Sequence, residues 1–198
     1  MAFKIMPQKP KLQENLYFIA LIPPEPIRTE TWQMKEEVAE RWGSRKALNS
    51  PPHITLHMPF KLKPKKEPEL ITLLKTCLAK EDSLEVNLKN FGAFAPRVIY
   101  VDVVQTESLR ELQKTVQKCM QRNFGLLNAD YKNQGFTPHL TIAFRDLKKS
   151  TFLEAWPHYQ NREYAANWLA CSVALLKHNG NNWDVLKEIK LNIIIERT

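Results

Sequence analysis

A five-residue pattern of proline, histidine, aliphatic, threonine and aliphatic residues occurs twice, as Pro52-His53-Ile54-Thr55-Leu56 and as Pro138-His139-Leu140-Thr141-Ile142. Polar and aliphatic residues alternate in each copy, and a period of two is the period of a β-strand. The histidine and the threonine therefore project from one face, while the aliphatic residues face a core. The repeat predicts two short strands, and pairing them would gather two imidazoles and two hydroxyls on one surface.

The segments around this repeat alternate between strand-like and helix-like patterns. Apolar or β-branched runs predict strands at 16–22, 52–58, 84–91, 97–104 and 138–144. Apolar residues at helical spacing predict helices at 27–42, 67–78, 109–120 and 148–159, and Ser108 and Glu111 have the spacing of a capping box. A long hairpin, 163–178 with 183–195, closes the chain. This order predicts an α+β fold in which helices cover antiparallel or mixed sheets.

The domain organisation follows from composition along the chain. Residues 1–14 are rich in proline, lysine and glutamine and predict a flexible N-terminal arm. No proline- or glycine-rich linker divides the rest, so residues 15–198 are expected to form a single domain. The arm has no apolar region typical of a secretion signal, and no apolar run approaches the ~18 residues of a membrane span. We therefore expect no membrane partner.

Charge and cysteine content narrow the partners and the compartment. The 29 basic and 21 acidic residues give a net charge of +8, which favours anionic partners such as RNA or nucleotides. Three cysteines without a CxxC pair suggest neither a disulfide framework nor a zinc ribbon. Cys77 and Cys119 fall on the apolar phase of helices and are expected to be buried thiols, which is typical of a reducing cytosol. The expected location is cytoplasmic.

The paired histidines and threonines suit phosphoryl transfer. A neutral imidazole can take a proton and a protonated one can donate it, because histidine titrates near neutrality. Threonine hydroxyls can donate hydrogen bonds to phosphate oxygens as charge gathers on them. This chemistry requires no metal and no cofactor. A metal site on His53 and His57 is disfavoured, because four residues along a strand separate them by about 13 Å.

Three histidines lie outside the two histidine–threonine pairs, and a chance repeat is the alternative to a functional one. His57 shares the wet face on an ideal strand and is expected at its rim or surface, while His158 and His178 lie outside the repeat and are expected to be structural or exposed. A single HxT in a strand is common and carries little meaning. Two copies with the same preceding proline and the same aliphatic phase, 86 residues apart (139 − 53), favour function over coincidence.

With these two motifs the sequence resembles the 2H phosphoesterases, in particular their 2′-5′ RNA ligase-like branch, and the resemblance covers about residues 15–195. It implies a bilobal α+β fold with pseudo-twofold symmetry, in which two antiparallel or mixed sheets flanked by helices surround a central cleft. It also implies metal-independent chemistry on 2′,3′-cyclic phosphates or 2′-5′ linkages. By position, His53 and His139 carry over as the acid/base pair, and Thr55 and Thr141 as phosphate-binding hydroxyls.

The chain departs from the family pattern after the second motif. Many members place a basic residue three positions after the second threonine, where this chain has Phe144, and Arg145 follows. On an ideal strand Arg145 would share the face of His139 and Thr141, so it is predicted as a further phosphate-binding residue. Base stacking on Phe60, Phe144, Tyr100 or a tryptophan is a possibility beside ordinary core packing for each ring.

The leading prediction is a monomeric phosphodiesterase that opens 2′,3′-cyclic phosphates of RNA ends or nucleotides by two-histidine acid/base catalysis. A 2′-5′ RNA ligase is the first alternative. A non-catalytic protein that binds RNA or nucleotides in the same cleft is the second. A small-molecule or lipid-derived phosphodiester as substrate stays open, and so does the division of acid and base roles between the histidines.

Overall fold

A computed structural model describes residues 14–128 and 135–193 of the chain. Eight strands and four helices follow one another in a mixed order along these residues. The strands are β1 (Asn15–Leu21), β2 (Ile54–Leu62), β3 (Leu84–Phe94), β4 (Val98–Val103), β5 (His139–Ala143), β6 (Ala165–Ala170), β7 (Ser172–His178) and β8 (Trp183–Lys190). The helices are α1 (Ile27–Trp42), α2 (Glu67–Leu78), α3 (Glu107–Phe124) and α4 (Lys149–Gln160). The α+β class and each predicted helix are confirmed, whereas the predicted arm, apart from Glu14, lies outside the described residues.

The eight strands form one sheet in the order β6-β3-β4-β5-β2-β1-β7-β8, and every strand pairing within it is antiparallel. The prediction of two sheets is therefore wrong. The two motif strands, β2 and β5, are hydrogen-bonded neighbours through the pair Ile54 and Leu140, and this contact joins both halves. On one side of this contact lie β5, β4, β3 and β6, and on the other β2, β1, β7 and β8. Pseudo-twofold symmetry between these two halves of the sheet stays a prediction.

The C-terminal segment also differs from the predicted hairpin. The apolar run 163–178 breaks at Cys171 into β6 and β7, which lie far apart in the order of the sheet. β6 pairs with β3 from Leu84–Ala170 to Lys89–Ala165, while β7 pairs with β1. Only β7 and β8 form the predicted hairpin. An uninterrupted apolar pattern does not reveal which neighbour each part will pair with.

Local signals place the helix ends. α1 ends at Gly43, whose φ of 72° is easily adopted only without a side chain, and its N–H donates to the carbonyl of Ala39. α3 begins two residues earlier than the predicted capping box, since Thr106 is its N-cap and accepts a hydrogen bond from the N–H of Leu109. Thr106 takes this role because its backbone is extended, as an N-cap requires, whereas Ser108 already lies inside the helix.

The helices cover one face of the sheet. Alternate β1 residues Tyr17, Ile19 and Leu21 are buried in a large core to which all four helices contribute apolar side chains. The intervening residues Phe18 and Ala20 belong to a small separate cluster that includes no helical residue. The second face of the sheet is therefore open among the described residues, and the motif residues lie on it.

Cys77 of α2 and Cys119 of α3 form a disulfide, with Cα atoms 6.2 Å apart. The expectation of two buried thiols is therefore wrong. α2 and α3 pack side by side, and the apolar phase that buries Cys119 and partly buries Cys77 also brings the two side chains together. The cytoplasmic location, which drew on unpaired thiols, stays a prediction. Among the described helices, none combines the length and the apolar character that a membrane crossing requires.

Candidate active site

The pairing of β2 with β5 gathers the motif residues. Ile54 lies opposite Leu140, and both are fully buried in the core. Extending this antiparallel register by one residue on each side places His53 opposite Thr141 and Thr55 opposite His139. Directly opposed residues share a face, with Cβ atoms about 4.5–5.5 Å apart. Two imidazoles and two hydroxyls consequently form one compact group on the open face.

The two imidazoles are oriented in the same way. Nδ1 of His53 lies 2.8 Å from the carbonyl oxygen of Pro51, and Nδ1 of His139 lies 2.8 Å from that of Thr137. A carbonyl can only accept, so each neutral ring carries its proton on Nδ1 and leaves the Nε2 lone pair available. Among the described residues neither Nε2 atom has a hydrogen-bond partner. Each ring is therefore prepared to exchange a proton through Nε2.

The hydroxyls of Thr55 and Thr141 are equally available. Both side chains are half-buried, and no described residue makes a hydrogen bond with either hydroxyl. Thr55 lies opposite Ala20 of β1 and Thr141 lies opposite Tyr100 of β4. The small side chain of Ala20 leaves room over Thr55, so an anion placed between the histidines can receive both hydroxyl donors.

A buried lysine supports the loop in front of His53. Lys35 of α1 is 1% exposed, and its Nζ donates to the carbonyl oxygens of Ala47 at 3.0 Å and Ser50 at 2.9 Å. Burial lowers the pKa of Lys35 to about 7. Because Pro51, the acceptor for His53, follows Ser50 directly, Lys35 fixes the backbone that orients the imidazole.

Different charges face the two histidines. The half-buried His53 has a ring enclosed by its neighbours, and burial, with the Lys35 and His139 charges adding to it, lowers its pKa to about 3. Burial also lowers the pKa of His139, but Asp102, opposite it on β4, acts in the raising direction. Of the two imidazoles, His139 therefore has the environment that retains a proton more readily.

Aromatic rings flank each histidine. The ring of Phe18 lies 4.7 Å from that of His53, and on the other side Phe94 and Tyr100 lie 5.0 and 5.1 Å from His139, all between centroids. Tyr100 reaches its position by lying across Gly92, where a Cβ atom would overlap the tyrosine ring. The rings wall the face on both sides and partly exclude water from the imidazoles.

His57 does not share this face, contrary to the expectation from an ideal strand. β1 pairs Ala20 with Thr55 but Ile19 with His57, so the register shifts and an extra residue bulges from β2. A bulge reverses the alternation of side chains. His57 is consequently buried against Phe60, and its Nδ1 lies 2.9 Å from the carbonyl oxygen of Met58.

Arg145 lies in a turn rather than on a strand. β5 ends at Ala143 after a register shift against β4, so the ideal-strand argument that placed Arg145 beside Thr141 is wrong. Its side chain is exposed, and its guanidinium stands 5.5 Å from the centre of the Phe144 ring. No contact joins it to the described motif residues, and its role in phosphate binding stays a prediction.

The turn that carries Arg145 is held by its neighbour. The carboxylate of Asp146 accepts hydrogen bonds from the Ser44 hydroxyl at 2.8 Å and from the backbone N–H groups of Arg45 at 2.7 Å and Lys46 at 3.0 Å. These contacts tie the end of β5 to the loop that leads to His53. Asp146 thus links the two motif segments at a point outside the sheet.

The remaining histidines and rings have mainly structural surroundings. His158 contacts Glu37 at 3.0 Å and lies between α1 and α4, and His178 packs against Trp183. Phe60 packs in the core against Tyr17 and His57, and Phe144 is 38% exposed; among the described residues neither ring contacts a histidine of the repeat. The predictions for His158 and His178 are confirmed.

Four neighbours of the reacting face were not found from the sequence: Lys35, Phe18, Phe94 and Asp102. Lys35 had a usable signal, because it shares the apolar face of its helix with Thr31 and Val38, where an unpartnered cation is costly. Phe18, Phe94 and Asp102 had none, since each lies beside its histidine only through contacts between strands that are far apart in the chain.

Solved structures of other proteins share this fold. The structure superposes on TT0787 of Thermus thermophilus with a TM-score of 0.65 and 19% identity, covering 91% of this chain and 100% of that one. It superposes on E. coli LigT complexed with 3′-AMP with a TM-score of 0.67 and 18% identity, covering 90% and 99%. These similarities concern the fold.

Sequence relatives add the kind of chemistry. A Geobacillus sp. (strain WCH70) protein named "Putative phosphoesterase" is 31% identical over 142 residues, which is 71% of this chain and 75% of that protein. A Bacillus cytotoxicus protein of the same name is 34% identical over 95 residues, 47% of this chain and 51% of that protein. The model of the 2′-5′ RNA ligase superfamily matches residues 23–182, and the chain therefore belongs to this superfamily, which together with these relatives supports an enzyme of the phosphoesterase kind.

Proposed function

We propose that the protein is a metal-independent phosphodiesterase that opens 2′,3′-cyclic phosphates of nucleotides or RNA ends. One observation carries the proposal. The register of β2 and β5 brings His53, His139, Thr55 and Thr141 to a single open face, with both Nε2 atoms and both hydroxyls unengaged by described residues. Pure binding of an anion would not require two imidazoles with the same tautomer.

The reaction divides between the four side chains. The Nε2 lone pair of one histidine takes a proton from water as its oxygen forms a bond to phosphorus. The other histidine, in its protonated form, donates its proton to the ribose oxygen as the bond from phosphorus to that oxygen breaks. Thr55 and Thr141 donate hydrogen bonds to the non-bridging oxygens, where negative charge gathers in the transition state. The product is a nucleoside 2′- or 3′-monophosphate.

The relatives and the charge support a nucleotide substrate. Solved structures of E. coli LigT include complexes with 3′-AMP, NADP+, phosphate and ATP. The net charge of +8 adds a general attraction for polyanions such as RNA. Arg145, exposed at the end of β5, is proposed as an additional phosphate contact that assists a longer substrate.

The test is hydrolysis of a nucleoside 2′,3′-cyclic phosphate by the purified protein in the presence of EDTA. We expect His53→Ala and His139→Ala each to reduce kcat by about 10²–10⁴, the usual contribution of a general acid or base. His158→Gln, which changes an exposed histidine outside the face, is the matched control and should retain full activity. Full activity of either alanine variant would contradict the proposal.

The superfamily name favours a second candidate, the joining of RNA ends through a 2′-5′ linkage. This reaction is the same displacement at the same phosphorus, with a 5′-hydroxyl in place of water as the nucleophile. The 5′-oxygen bonds to phosphorus as the bond to the ribose 3′-oxygen breaks, and that oxygen takes the proton. Incubating RNA fragments that carry 2′,3′-cyclic phosphate and 5′-hydroxyl ends, followed by analysis of product length and linkage, separates the two activities. Salt-dependent RNA binding that survives both histidine substitutions, with no product of either kind, would instead indicate a non-catalytic binding protein.

A further inference from the structure

A cavity of about 530 Å³ opens beside the loop that precedes His53. It lies between the start of α1, residues 48–52 of that loop and the start of β8. Its wall includes two half-buried indoles, Trp32 and Trp183, and the rings of Pro51 and Pro52. This volume falls within the range of small-molecule sites, ~300–1,000 Å³.

Two contacts join this cavity to the reacting face. The carbonyl of Pro51, a wall residue, is the acceptor that holds Nδ1 of His53. The ring of Phe18 lies between His53 and Trp183, with its centroid 4.7 Å from each of theirs. The cavity therefore borders the reacting face on the His53 side, with the Phe18 ring between Trp183 and His53.

The charges of the wall disfavour a second phosphate. Glu25 and Asp184 contribute carboxylates and Arg28 the one opposing cation of the wall residues. Arg28 is already engaged, because its Nε donates to the carbonyl of Pro23 at 3.1 Å and lies 3.9 Å from Glu25. An occupant that carries no charge itself suits these surroundings better than an anion.

The wall instead matches a flat ring with a polar edge. The two indoles and the prolines offer apolar faces for stacking, which is the sequence-tolerant way in which proteins bind nucleobases. Asn49 and Asn182 lie in the same wall, and their amides supply both hydrogen-bond donors and acceptors.

Hydrogen bonds within the chain hold two parts of the wall in place. The turn before β8 is closed by the Asn179 side chain, whose oxygen accepts from the N–H groups of Asn181 at 2.9 Å and Asn182 at 2.8 Å. Trp32 is held through its Nε1, which donates to Glu36 at 2.7 Å. A stacking surface fixed in this way loses little conformational entropy when a ring enters.

We propose that this cavity binds the base of the nucleoside that carries the reacting phosphate. The inference rests on the proposed function and deepens it, because it assigns the substrate to nucleotides and RNA ends rather than to sugar or lipid phosphodiesters. The phosphate occupies the face of His53, Thr55, His139 and Thr141, and the base enters between Trp32 and Trp183.

The experiment compares two substrates, adenosine 2′,3′-cyclic phosphate and base-free 1-O-methylribose 2,3-cyclic phosphate. The readout is the ratio of their kcat/KM values. We expect Trp183→Ala and Trp32→Ala each to lower this ratio by about tenfold or more, as the loss of a base-stacking contact does. Trp183→Phe, which keeps a stacking ring, should restore most of the ratio. Leu153→Ala, on α4 and 65% exposed, is the control and should leave it unchanged.

An unchanged ratio in both alanine variants would overturn the inference. An equal loss on both substrates would overturn it as well, because it would mean that Trp183 acts only by supporting Phe18 and His53. Wild-type protein that hydrolyses neither substrate would contradict the proposed function. In that event tryptophan fluorescence tests base binding in the cavity. Quenching by adenosine 3′-monophosphate but not by inorganic phosphate, and loss of this quenching in Trp183→Ala, would support base binding. If adenosine 3′-monophosphate does not quench the fluorescence, base binding in the cavity is excluded.

Discussion

Single residues on the open face have unequal surroundings although the two motifs are alike in sequence. Each histidine is oriented by the carbonyl two positions before it, which is a local consequence of the repeat. Their charged neighbours differ, because Lys35 comes from a helix on one side and Asp102 from a strand on the other. The local tautomer could be anticipated from the motif, whereas the electrostatic difference arises only from long-range packing.

Lys35→Met tests the role of the buried lysine. Methionine fills a similar volume but neither repels a proton on His53 nor binds the carbonyls of Ala47 and Ser50. We expect the pKa of His53, followed by the NMR shift of its ring protons, to rise, and kcat to fall by about tenfold because the loop loses its support. Lys75→Met, at an exposed position of α2, is the control. An unshifted His53 titration with unchanged kcat would show that Lys35 acts on neither.

At the scale of elements, contacts outside the sheet hold the motif strands in place. The pairing of β2 with β5 is short, since one residue pair joins them directly. Asp146 adds a second link between the loop before β2 and the turn after β5. The sequence predicted the strands themselves well, because period-two patterns are local. It did not predict the bulges that turn His57 into the core and end β5 at Ala143, since these depend on the partner strand.

Removing the Asp146 link should cost stability. Asp146→Ala leaves the N–H groups of Arg45 and Lys46 without their acceptor, and hydrogen bonds to a charged group contribute about 1.5–3 kcal/mol. We expect the free energy of unfolding in urea to fall by about 2 kcal/mol. Glu154→Ala, at an exposed site on α4, is the matched control. Equal unfolding midpoints for the two variants would contradict this role.

The disulfide between α2 and α3 is expected to contribute to the free energy of unfolding. It links residues separated by 42 positions, and cross-links of this kind stabilise by about 2–4 kcal/mol, chiefly by restricting the unfolded chain. Reduction should therefore lower the urea midpoint of wild-type protein but not of a Cys77→Ser/Cys119→Ser variant. Mass spectrometry of the alkylated protein confirms the pairing, and three free thiols in unreduced protein would refute it.

The whole molecule should become more stable as the solution becomes more alkaline. The pKa of Lys35 is lowered to about 7 in the folded protein, whereas an unfolded lysine titrates near 10.5. Between these values the unfolded chain binds more protons, so the free energy of unfolding rises with pH, and the cost of the buried charge is fully present below pH 7. Urea unfolding at pH 7, 8 and 9 should show this slope, and Lys35→Met should flatten it. Equal slopes would contradict the assignment.

Much of this protein follows from its sequence alone. The period-two alternation in the two motifs determined that His53 and Thr55 share a face, as do His139 and Thr141, because side chains alternate on any extended strand. Helical periodicity and the glycine after α1 likewise determined the helices. These properties depend only on residues that are close together along the chain, so they do not require the tertiary structure.

Only the tertiary structure decided how those pieces meet. It joined β2 to β5 within one sheet, divided the segment 163–178 between distant strands, paired Cys77 with Cys119, and opened the cavity beside Trp183. Each outcome depends on contacts between residues far apart in the chain, whose energies come from shared burial and register rather than from local pattern. Two similar motifs became one candidate active site for this reason.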